Sequence, residues 1–291
     1  MVISSVGIVG FQLHNKKQRK ASWLPRHESY DYHHDHKHQK YYYSRLINIQ
    51  KTLFMKVLIT GTGKGLGEAL ALYYLENGNE VYGISRSKSS RLEKYPDFHF
   101  LSQDLSEFDE MKQAIPGFLK QAGKLNLVVL NAGIISGIKD MKDCSLNEIK
   151  KVMDVNVWAN KILIDLLFAN LSDIRQIAAV SSGASVYGNR GWNAYSLSKA
   201  ALNMLIQLYA AENEGTHFCS IAPGIIDTGM QDYIYSLEDD PRFSSLDRLK
   251  KAKSSGQMPA PDEAAPMLGK ALEKALNEKS GSFLDVREMV P

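Results

Sequence analysis

Short apolar runs alternate with longer segments of helical periodicity along the chain after residue 55. Apolar runs bounded by turn residues predict buried strands, here at residues 56–60, 80–84, 98–101, 126–130, 176–181, 217–222 and 282–285. Apolar residues three and four positions apart predict helices, here at 65–77, 106–122, 145–169, 194–212 and 261–276. Strands separated by helices require crossover connections. The pattern therefore predicts an α/β fold: a doubly wound parallel sheet of about seven strands with helices on both faces, in a single domain over residues 55–291.

Local signals support the helix ends and mark one long connection. Asn77-Gly78 is a helix C-terminal signal, and Ser145 and Glu148 have the spacing of a capping box. Residues 225–259 form the one long stretch between predicted elements and are rich in polar side chains. Because loops of that length are usually functional, we predict a lid over a binding site.

The first 54 residues show no sustained helical or strand periodicity. They hold 9 Lys/Arg, 3 Asp/Glu and 6 of the 8 histidines, a composition that favours a solvated, disordered leader or a non-native extension. Two other interpretations are metal binding by the histidines of segment 33–38 and a mitochondrial presequence, although arginine is not enriched. Met55 directly precedes the first strand, so our hypothesis is that the native chain starts there.

Composition and charge exclude several classes of protein. The chain has 291 residues, 44% of them hydrophobic, and no apolar run approaches the roughly 18 residues of a membrane span. The two cysteines, Cys144 and Cys219, form neither a disulfide framework nor a multi-cysteine metal site, so we predict no metal and a reducing compartment, the cytoplasm. Without the first 54 residues the net charge changes from +3 to −3 (26 Lys/Arg against 29 Asp/Glu), which disfavours nucleic-acid binding.

A glycine-rich turn follows the first predicted strand and opens the first predicted helix. It reads Thr60-Gly61-Thr62-Gly63-Lys64-Gly65-Leu66-Gly67, which fits T-G-x-x-x-G-x-G but not G-x-G-x-x-G. Glycines let the backbone approach a pyrophosphate at a helix N-terminus, where free N–H groups and the helix dipole favour anions. The position of the turn between a strand and a helix predicts a dinucleotide-binding loop.

The end of the second strand predicts which dinucleotide binds. NAD-binding proteins usually carry an acidic residue there for the ribose 2′-hydroxyl, whereas this chain has Ser85-Arg86-Ser87. Lys64 adds a second cation in the glycine loop, and two cations would attract a 2′-phosphate. We therefore predict NADP(H) as the cofactor, with Arg86 and Lys64 near its phosphate.

Tyr195 and Lys199 lie four residues apart in a predicted helix. Positions i and i+4 share one helix face, so the phenol and the ammonium can meet at one cleft. A nearby cation lowers a tyrosine pKa and makes the phenol a usable acid or base. Ser182 follows the fifth strand, where parallel sheets place their ligands. Because a Tyr-x-x-x-Lys pattern by itself is usually a surface pair, its meaning depends on the other motifs.

Taken together, these motifs resemble the short-chain dehydrogenase/reductase family over residues 56 to about 287. The resemblance rests on the loop at 60–67, Asp104, Asn131-Ala132-Gly133, Asn156, Ser182, Tyr195 with Lys199, and Pro223-Gly224 with Thr228, all in the family's order and spacing. It implies that Tyr195 donates a proton to a substrate carbonyl and that Lys199 lowers its pKa and holds the nicotinamide ribose. It also implies that Ser182 steadies the developing alkoxide and that Asn156 holds a water of a proton relay.

The resemblance further implies a set of cofactor contacts. Asp104 matches an adenine contact, Asn131 a residue that locks strand to cofactor, and Thr228 a nicotinamide-side contact. The predicted cofactor-binding residues are Gly61, Thr62, Lys64, Gly65, Leu66, Gly67, Arg86, Asp104, Leu105, Asn131, Tyr195, Lys199, Pro223, Gly224 and Thr228. Both Asn156 and Thr228 have a structural alternative. The Asn156 side chain would satisfy backbone groups inside a helix, and Thr228 would be a turn residue.

Within the family, residues 223–233 and 280–285 are similar to sepiapterin reductase and bacterial benzil reductases. In sepiapterin reductase an Asp at the place of Asp285 anchors the amino-bearing pterin ring, and a strand cap is the alternative for this residue. The candidate pocket walls are Trp192, Tyr187, Met230 and Tyr233, each with a core-packing alternative. The resemblance therefore implies an NADPH-dependent carbonyl reductase acting on a pterin side-chain ketone or a vicinal dicarbonyl.

The sequence leaves other functions open, and it also predicts an oligomeric state. The fold supports 3-oxoacyl reduction or alcohol oxidation, and a non-catalytic NADP-binding sensor or scaffold would keep the cofactor motifs. The missing acid after the second strand argues against NAD-linked oxidation, and the complete catalytic set argues against a sensor. Helices 145–169 and 194–213 are more apolar than one buried face needs, and related proteins dimerise through them, so we predict a homodimer.

Overall fold

The computed structural model describes residues 54–289. Its strands are β1 Lys56–Thr60, β2 Glu80–Ser85, β3 Phe98–Ser102, β4 Leu127–Leu130, β5 Gln176–Val180, β6 His217–Ala222 and β7 Ser282–Asp285. Its helices are α1 Gly65–Glu76, α2 Phe108–Ala122, α3 Leu146–Met153, α4 Ala159–Asn170, α5 Asn193–Glu212, α6 Gly229–Ser236, α7 Ser244–Ser254, α8 Pro261–Ala275 and α9 Val286–Met289. A π-helical turn at Asp154–Trp158 joins α3 to α4, and short 3₁₀ turns occur at Met141–Asp143 and Gly183–Ser185.

All seven strands pair in parallel in one sheet, in the order β3-β2-β1-β4-β5-β6-β7. The chain runs from β1 outward to β3 and then returns to build β4 to β7 on the other side. This reversal opens a crevice beyond the carboxyl ends of β1 and β4. The predicted doubly wound parallel sheet is confirmed, and its strand order sets the place where a ligand can enter.

Helices cover both faces of the sheet because its central strands are apolar on both sides. Val57 and Ile59 of β1 pack in one hydrophobic cluster with residues of α1 and α8. Leu58, between them, packs in a second cluster with residues of α2, α4 and α5. Successive side chains of a strand point to opposite faces, so a continuously apolar strand is buried on both.

Each predicted element agrees with the structure within two residues at either end. The predicted capping box forms: the Ser145 hydroxyl accepts from the Glu148 N–H, and the Glu148 carboxylate accepts from the Ser145 N–H. The predicted helix 145–169 is not regular throughout, because the π-helical turn interrupts it where Asn156 lies. Such turns are frequent at functional sites.

Residues 225–259 contain α6 and α7, which the polar composition of this segment did not predict. Both helices are short and turn only a few apolar side chains inward. Ile234 and Phe243 from this segment are buried in one cluster with Trp192 and Tyr195. The segment therefore lies against Tyr195 and forms one wall of the crevice region.

The predictions of a leader, a presequence and a histidine metal site concern residues before 54 and lie outside the described residues. Between residues 54 and 289 no helix combines the length and the apolar character that crossing a bilayer requires.

Candidate active site

The turns at the carboxyl edge of the sheet bring the predicted site residues together. The glycine loop follows β1, Asn131 follows β4, Ser182 follows β5 and Pro223 follows β6. Parallel strands end at the same edge, and these four strands are neighbours, so their turns line one crevice. The helix α5, which follows the Ser182 turn, carries Tyr195 and Lys199.

Tyr195, Lys199 and Ser182 form one cluster beyond the end of β5. Lys199 Nζ lies 5.8 Å from the centre of the Tyr195 ring and donates to the Val180 carbonyl oxygen at 2.7 Å. The Ser182 side chain lies close enough to the Tyr195 side chain to lower the pKa of its phenol. The Ser182 oxygen also accepts from the Ala184 N–H at 3.1 Å. The structure thus joins the three side chains that the sequence singles out for acid–base chemistry.

Burial dominates the electrostatics of this cluster. Burial raises the pKa of Tyr195, and the Ser182 side chain opposes that rise only in part. Burial also lowers the pKa of Lys199 to about 8, because its ammonium loses hydration. The net effect of the surroundings is a raised Tyr195 pKa. The effect of Lys199 on this pKa stays a prediction.

Asn156 is fully buried in the π-helical turn. Its side-chain oxygen accepts from the Ile134 N–H at 2.8 Å, and its side-chain amide donates to the Ile134 carbonyl oxygen at 2.9 Å. The amide also donates to the Ser198 hydroxyl at 2.9 Å, which in turn donates to the Tyr195 carbonyl oxygen at 2.8 Å. The Asn156 side chain thus ties the turn after β4 to α5, as its structural alternative predicts, and its role toward a water stays a prediction.

The turn after β1 needs glycine at several positions. Gly61 and Gly65 have φ angles of +79° and +67°, which L side chains rarely adopt. A Cβ on Gly67 would lie 2.3 Å from the Gly61 carbonyl oxygen, so α1 starts too close to the loop to carry a side chain there. Asn131 Nδ2 donates to the Thr60 carbonyl oxygen at 2.8 Å and fixes β4 beside this loop.

This turn fits the pyrophosphate of a dinucleotide. Lys64 is the N-cap residue of α1, and its side chain makes no capping hydrogen bond, so the first N–H groups of the helix can meet an anion. Thr62 and Leu66 are buried, so their predicted cofactor contacts would use the backbone. The Thr228 methyl carbon lies 3.7 Å from the Cβ position of Gly65, which places the turn after β6 against the loop.

The turn after β2 shapes the expected ribose end of the crevice. Arg86 is exposed, and its guanidinium lies 4.0 Å from the Asp104 carboxylate. Asp104 accepts from the Ser106 N–H at 2.9 Å, and its hydrogen bonds to Ser106, more than Arg86, hold its pKa below its usual range. Leu105 is buried, so its predicted contact would also use the backbone. The turn therefore offers a cation and no acidic side chain of its own.

The side chain of Lys64 extends toward the turn after β6. Its Nζ is 3.8 Å from the Cβ position of Gly229 at the start of α6. The contacts of Lys64 and Arg86 with a 2′-phosphate stay predictions.

Two of the predicted pocket residues lie near the tyrosine. The Trp192 ring centre is 5.8 Å from that of Tyr195, and Trp192 Nε1 donates to the Ser245 hydroxyl at 2.7 Å. Met230 packs against the same cluster, which also includes Phe243. The cluster adjoins a cavity of about 240 Å³ that is lined by Ile138, Leu237, Glu238, Asp239, Asp240, Pro241, Phe243 and Leu246.

The other two predicted pocket residues are exposed aromatic side chains. Tyr187 is 66% exposed and Tyr233 38% exposed, so neither has the core-packing role that is its alternative. Tyr187 lies near the Ser182 turn, with a ring carbon 3.8 Å from the Cβ position of Gly183. The Tyr233 hydroxyl lies 3.8 Å from the Cβ position of Gly137, in the turn after β4. Both therefore stand where they can form part of the mouth of a pocket.

Asp285 ends β7, and a neighbouring arginine already binds its carboxylate. Arg287 donates from Nε to Oδ1 at 2.9 Å, from Nη2 to Oδ2 at 2.5 Å and from its backbone N–H to Oδ1 at 3.0 Å. These bonds keep the pKa of Asp285 below its usual range. The Arg287 side chain also lies across Gly224, with Cγ 3.8 Å from its Cβ position. The predicted contact of Asp285 with an amino-bearing ring stays a prediction, and Arg287 would share that carboxylate.

Sequence reasoning missed several residues that shape the site. Arg287 had an available signal, since an acid and an arginine two residues apart at a strand end can pair locally. Asn193 had none: its side chain donates to the Gly137 carbonyl oxygen at 2.9 Å and accepts from the Ser136 hydroxyl, 57 positions away in the chain. Phe243 likewise reaches the cluster from a segment whose helices the sequence did not predict.

Comparison with known proteins agrees with this geometry. A family model described as short chain dehydrogenase matches residues 55–239. A protein of Bacillus subtilis (strain 168) named benzil reductase ((S)-benzoin forming) is 32% identical over 244 residues, which cover 80% of this chain and 98% of that protein. A protein of the same name from Bacillus cereus is 29% identical over 75% of this chain and 93% of its own length.

The fold is also similar to solved structures. The crystal structure of a short-chain dehydrogenase/reductase from Saccharomyces cerevisiae matches with a TM-score of 0.71 and 26% sequence identity. The match covers 81% of this chain and 100% of that one. The likeness therefore extends over the whole sheet and its helices.

Proposed function

Because this chain belongs to the short-chain dehydrogenase family, we propose that it is a carbonyl reductase that uses NADPH to transfer hydride to a small ketone or vicinal dicarbonyl. Membership of the family makes it an oxidoreductase with a nicotinamide dinucleotide cofactor. The observation that carries the proposal is the Tyr195 phenol, which is buried beside Ser182 with its pKa raised by burial. A phenol that retains its proton can deliver it to a carbonyl oxygen during reduction.

The chain's own residues act on the carbonyl oxygen. Tyr195 donates the proton, and the adjacent Ser182 hydroxyl stabilises the negative charge that develops on that oxygen. Lys199 places a positive charge 5.8 Å from the Tyr195 ring in a buried region, where charges interact more strongly than in water. The glycine loop, Asn131 and Thr228 would hold the dinucleotide. When bound, its reduced nicotinamide supplies the hydride.

Two observations favour a neutral dicarbonyl over a pterin ketone as substrate. The carboxylate of Asp285 is already paired with Arg287, which disfavours its use as the anchor of an amino-bearing ring. The surroundings of Tyr195 are aromatic and apolar, from Trp192, Phe243 and Met230, which suits a diketone with apolar substituents. Two relatives named benzil reductase support the same choice.

A substrate panel tests the proposed function. We expect purified protein to oxidise NADPH with benzil, with a kcat/KM at least about tenfold above that for sepiapterin. Turnover confined to 3-oxoacyl thioesters, or to alcohol oxidation with NADP⁺, would replace the proposal with one of those reactions. Tight NADPH binding without turnover of any carbonyl in the panel would support the non-catalytic sensor or scaffold.

The pH dependence of reduction gives a second test. We expect kcat/KM to fall as the pH rises through about 8, because Lys199, whose pKa is about 8, then loses the positive charge that we propose favours proton release from the Tyr195 phenol. Tyr195 keeps its proton over the same range because burial raises its pKa. Steady-state kinetics from about pH 6 to about pH 10 measure the profile.

The matched variant for this test is Lys199→Arg. A guanidinium stays charged throughout this range, so the variant should be less active but lack the fall near pH 8. A wild-type profile that stays level to about pH 9 would contradict the role of Lys199.

We also propose a cytoplasmic homodimer. Leu197, Met204 and Leu208 form an exposed apolar stripe on α5, and Trp158 is exposed in the π-helical turn that precedes α4. Such a stripe is costly to leave in water and suits a self-complementary helix face. Cys144 and Cys219 are free thiols, in keeping with a reducing compartment. Light scattering at micromolar concentration would give the mass of a dimer, and a monomer would contradict the assembly.

A further inference from the structure

A second buried amide, Asn203, ties the catalytic serine turn to the helix that carries the tyrosine. Ser181 Oγ donates to Asn203 Oδ1 at 2.7 Å, and Asn203 Nδ2 donates to Ser185 Oγ at 2.8 Å. Ser185 Oγ in turn donates to the Ser182 carbonyl oxygen at 2.6 Å. The bonds therefore hold Ser182 from the residue before it and from the residue three positions after it.

We propose that Asn203 and Ser185 are positioning residues, which keep the Ser182 hydroxyl beside the Tyr195 phenol. This inference rests on the proposed function, because it assumes that Ser182 stabilises the reacting oxygen. Neither Asn203 nor Ser185 bonds to the Tyr195 phenol, so both act through Ser182.

The position of Asn203 on α5 explains how it can hold the serine turn in place relative to Tyr195. Tyr195, Lys199 and Asn203 follow one another at intervals of four residues, and all three are buried on one face of the helix. One rigid helix thus carries both the phenol and the anchor of the serine turn. If α5 shifted relative to β5, the phenol and the serine turn would move together and keep their spacing. A serine turn that was anchored to another element would not follow the phenol.

The directions of these bonds form a consistent set. The Ser185 hydroxyl has one hydrogen, which goes to the Ser182 carbonyl oxygen, so its oxygen must accept from the Asn203 amide. The Asn203 side-chain oxygen is then the acceptor that faces Ser181. Asn203 is 7% exposed, so water has little access to replace a missing partner. Loss of either hydroxyl or amide would leave buried polar groups unpaired and free the turn to move.

The main test compares Ser185→Val with Ser185→Thr in the full-length protein, since the two side chains have similar shape and only Thr keeps the hydroxyl. We expect Ser185→Val to lower kcat for diketone reduction by about 10- to 100-fold, as expected for a small misplacement of a catalytic group. KM and the NADPH dissociation constant should change little. Ser185→Thr should restore most of kcat, and equal kcat values for the two variants would overturn the inference.

A double-mutant cycle with Ser182→Ala separates positioning from general destabilisation. If Ser185 acts only through the Ser182 hydroxyl, Ser185→Ala should cost activity in the wild type but almost nothing further in the Ser182→Ala background. Equal losses in both backgrounds would overturn the inference and leave the proposed function standing. If Ser182→Ala by itself left kcat unchanged, the proposed role of Ser182 would fail first.

The control is Ser254→Ala on α7. Its hydroxyl donates to the Lys251 carbonyl oxygen at 3.0 Å, three residues back, as Ser185 does to Ser182, but Ser254 is exposed and belongs to a different segment from the serine turn. We expect this variant to keep the wild-type kcat. Asn203→Leu provides an independent variant that removes both amide bonds, and its thermal unfolding is measured beside its kcat. A kcat loss that persists well below its unfolding temperature supports positioning, and wild-type kcat in this folded variant would overturn it.

Discussion

The Tyr195→Phe variant should lose about 1,000-fold or more of kcat for diketone reduction, while its NADPH affinity stays nearly unchanged. The substitution removes only the phenolic oxygen, which is buried beside Ser182 and is the proton donor in the proposed reaction. The ring remains, so its packing with Trp192 at 5.8 Å is kept. Single-turnover kinetics with saturating NADPH measure the chemical step, and fluorescence titration measures the cofactor affinity.

The control for this variant is Tyr95→Phe. Tyr95 donates a hydrogen bond to Glu76 at 3.1 Å on an exposed surface, so the same atom is removed where no chemistry is expected. Its kcat should equal that of the wild type. If Tyr195→Phe retained even a tenth of the wild-type kcat, another acid would have to protonate the substrate and the proposed chemistry would be wrong.

Replacement of Arg86 by aspartate should reverse the cofactor preference. The exposed guanidinium at the end of β2 is the cation that we assign to the 2′-phosphate, and Asp104 lies 4.0 Å from it. An aspartate there would repel that phosphate and would offer an acceptor to an unphosphorylated ribose 2′-hydroxyl. We expect Arg86→Asp to raise KM for NADPH roughly 100-fold and to leave KM for NADH equal or lower.

The control reverses the same charge at the opposite edge of the sheet. Arg175 is exposed and precedes β5 at its amino end, far from the carboxyl-end turns. Arg175→Asp should change KM for NADPH and for NADH little and by the same factor. A wild-type protein that used NADH as efficiently as NADPH, or an Arg86→Asp variant that kept its NADPH preference, would defeat the assignment.

Much of the fold could be predicted from the order of short-range patterns. Continuous apolar strands such as β4 imply burial on both faces, and intervening helices force right-handed crossovers, so few topologies remain. The helices α6 and α7 escaped prediction because their inward residues are few. Ile234 and Phe243 find their partners in Trp192 and Tyr195, from another part of the chain.

The candidate site likewise contains residues that the sequence predicts and contacts that it does not. Tyr195 with Lys199, and the glycine loop, were recognisable because one turn of helix or one tight turn brings their members together whatever surrounds them. The arrangement of Asn156 with Ile134 and of Asn203 with Ser181 needs elements 22 residues apart to meet. No pattern along a single element records those contacts.

The amino-acid order alone therefore predicts the strands, the helices and the chemical groups at their ends, since each is visible in a pattern of near neighbours in the chain. The pKa values of those groups came from folding: burial raises the pKa of Tyr195 and lowers that of Lys199, because segments distant in sequence exclude water from both. The reach of Lys64 toward Gly229 was set in the same way. The hydration of a side chain, and the direction in which a long side chain points, depend on the residues that surround it. Those residues come together only when the chain folds.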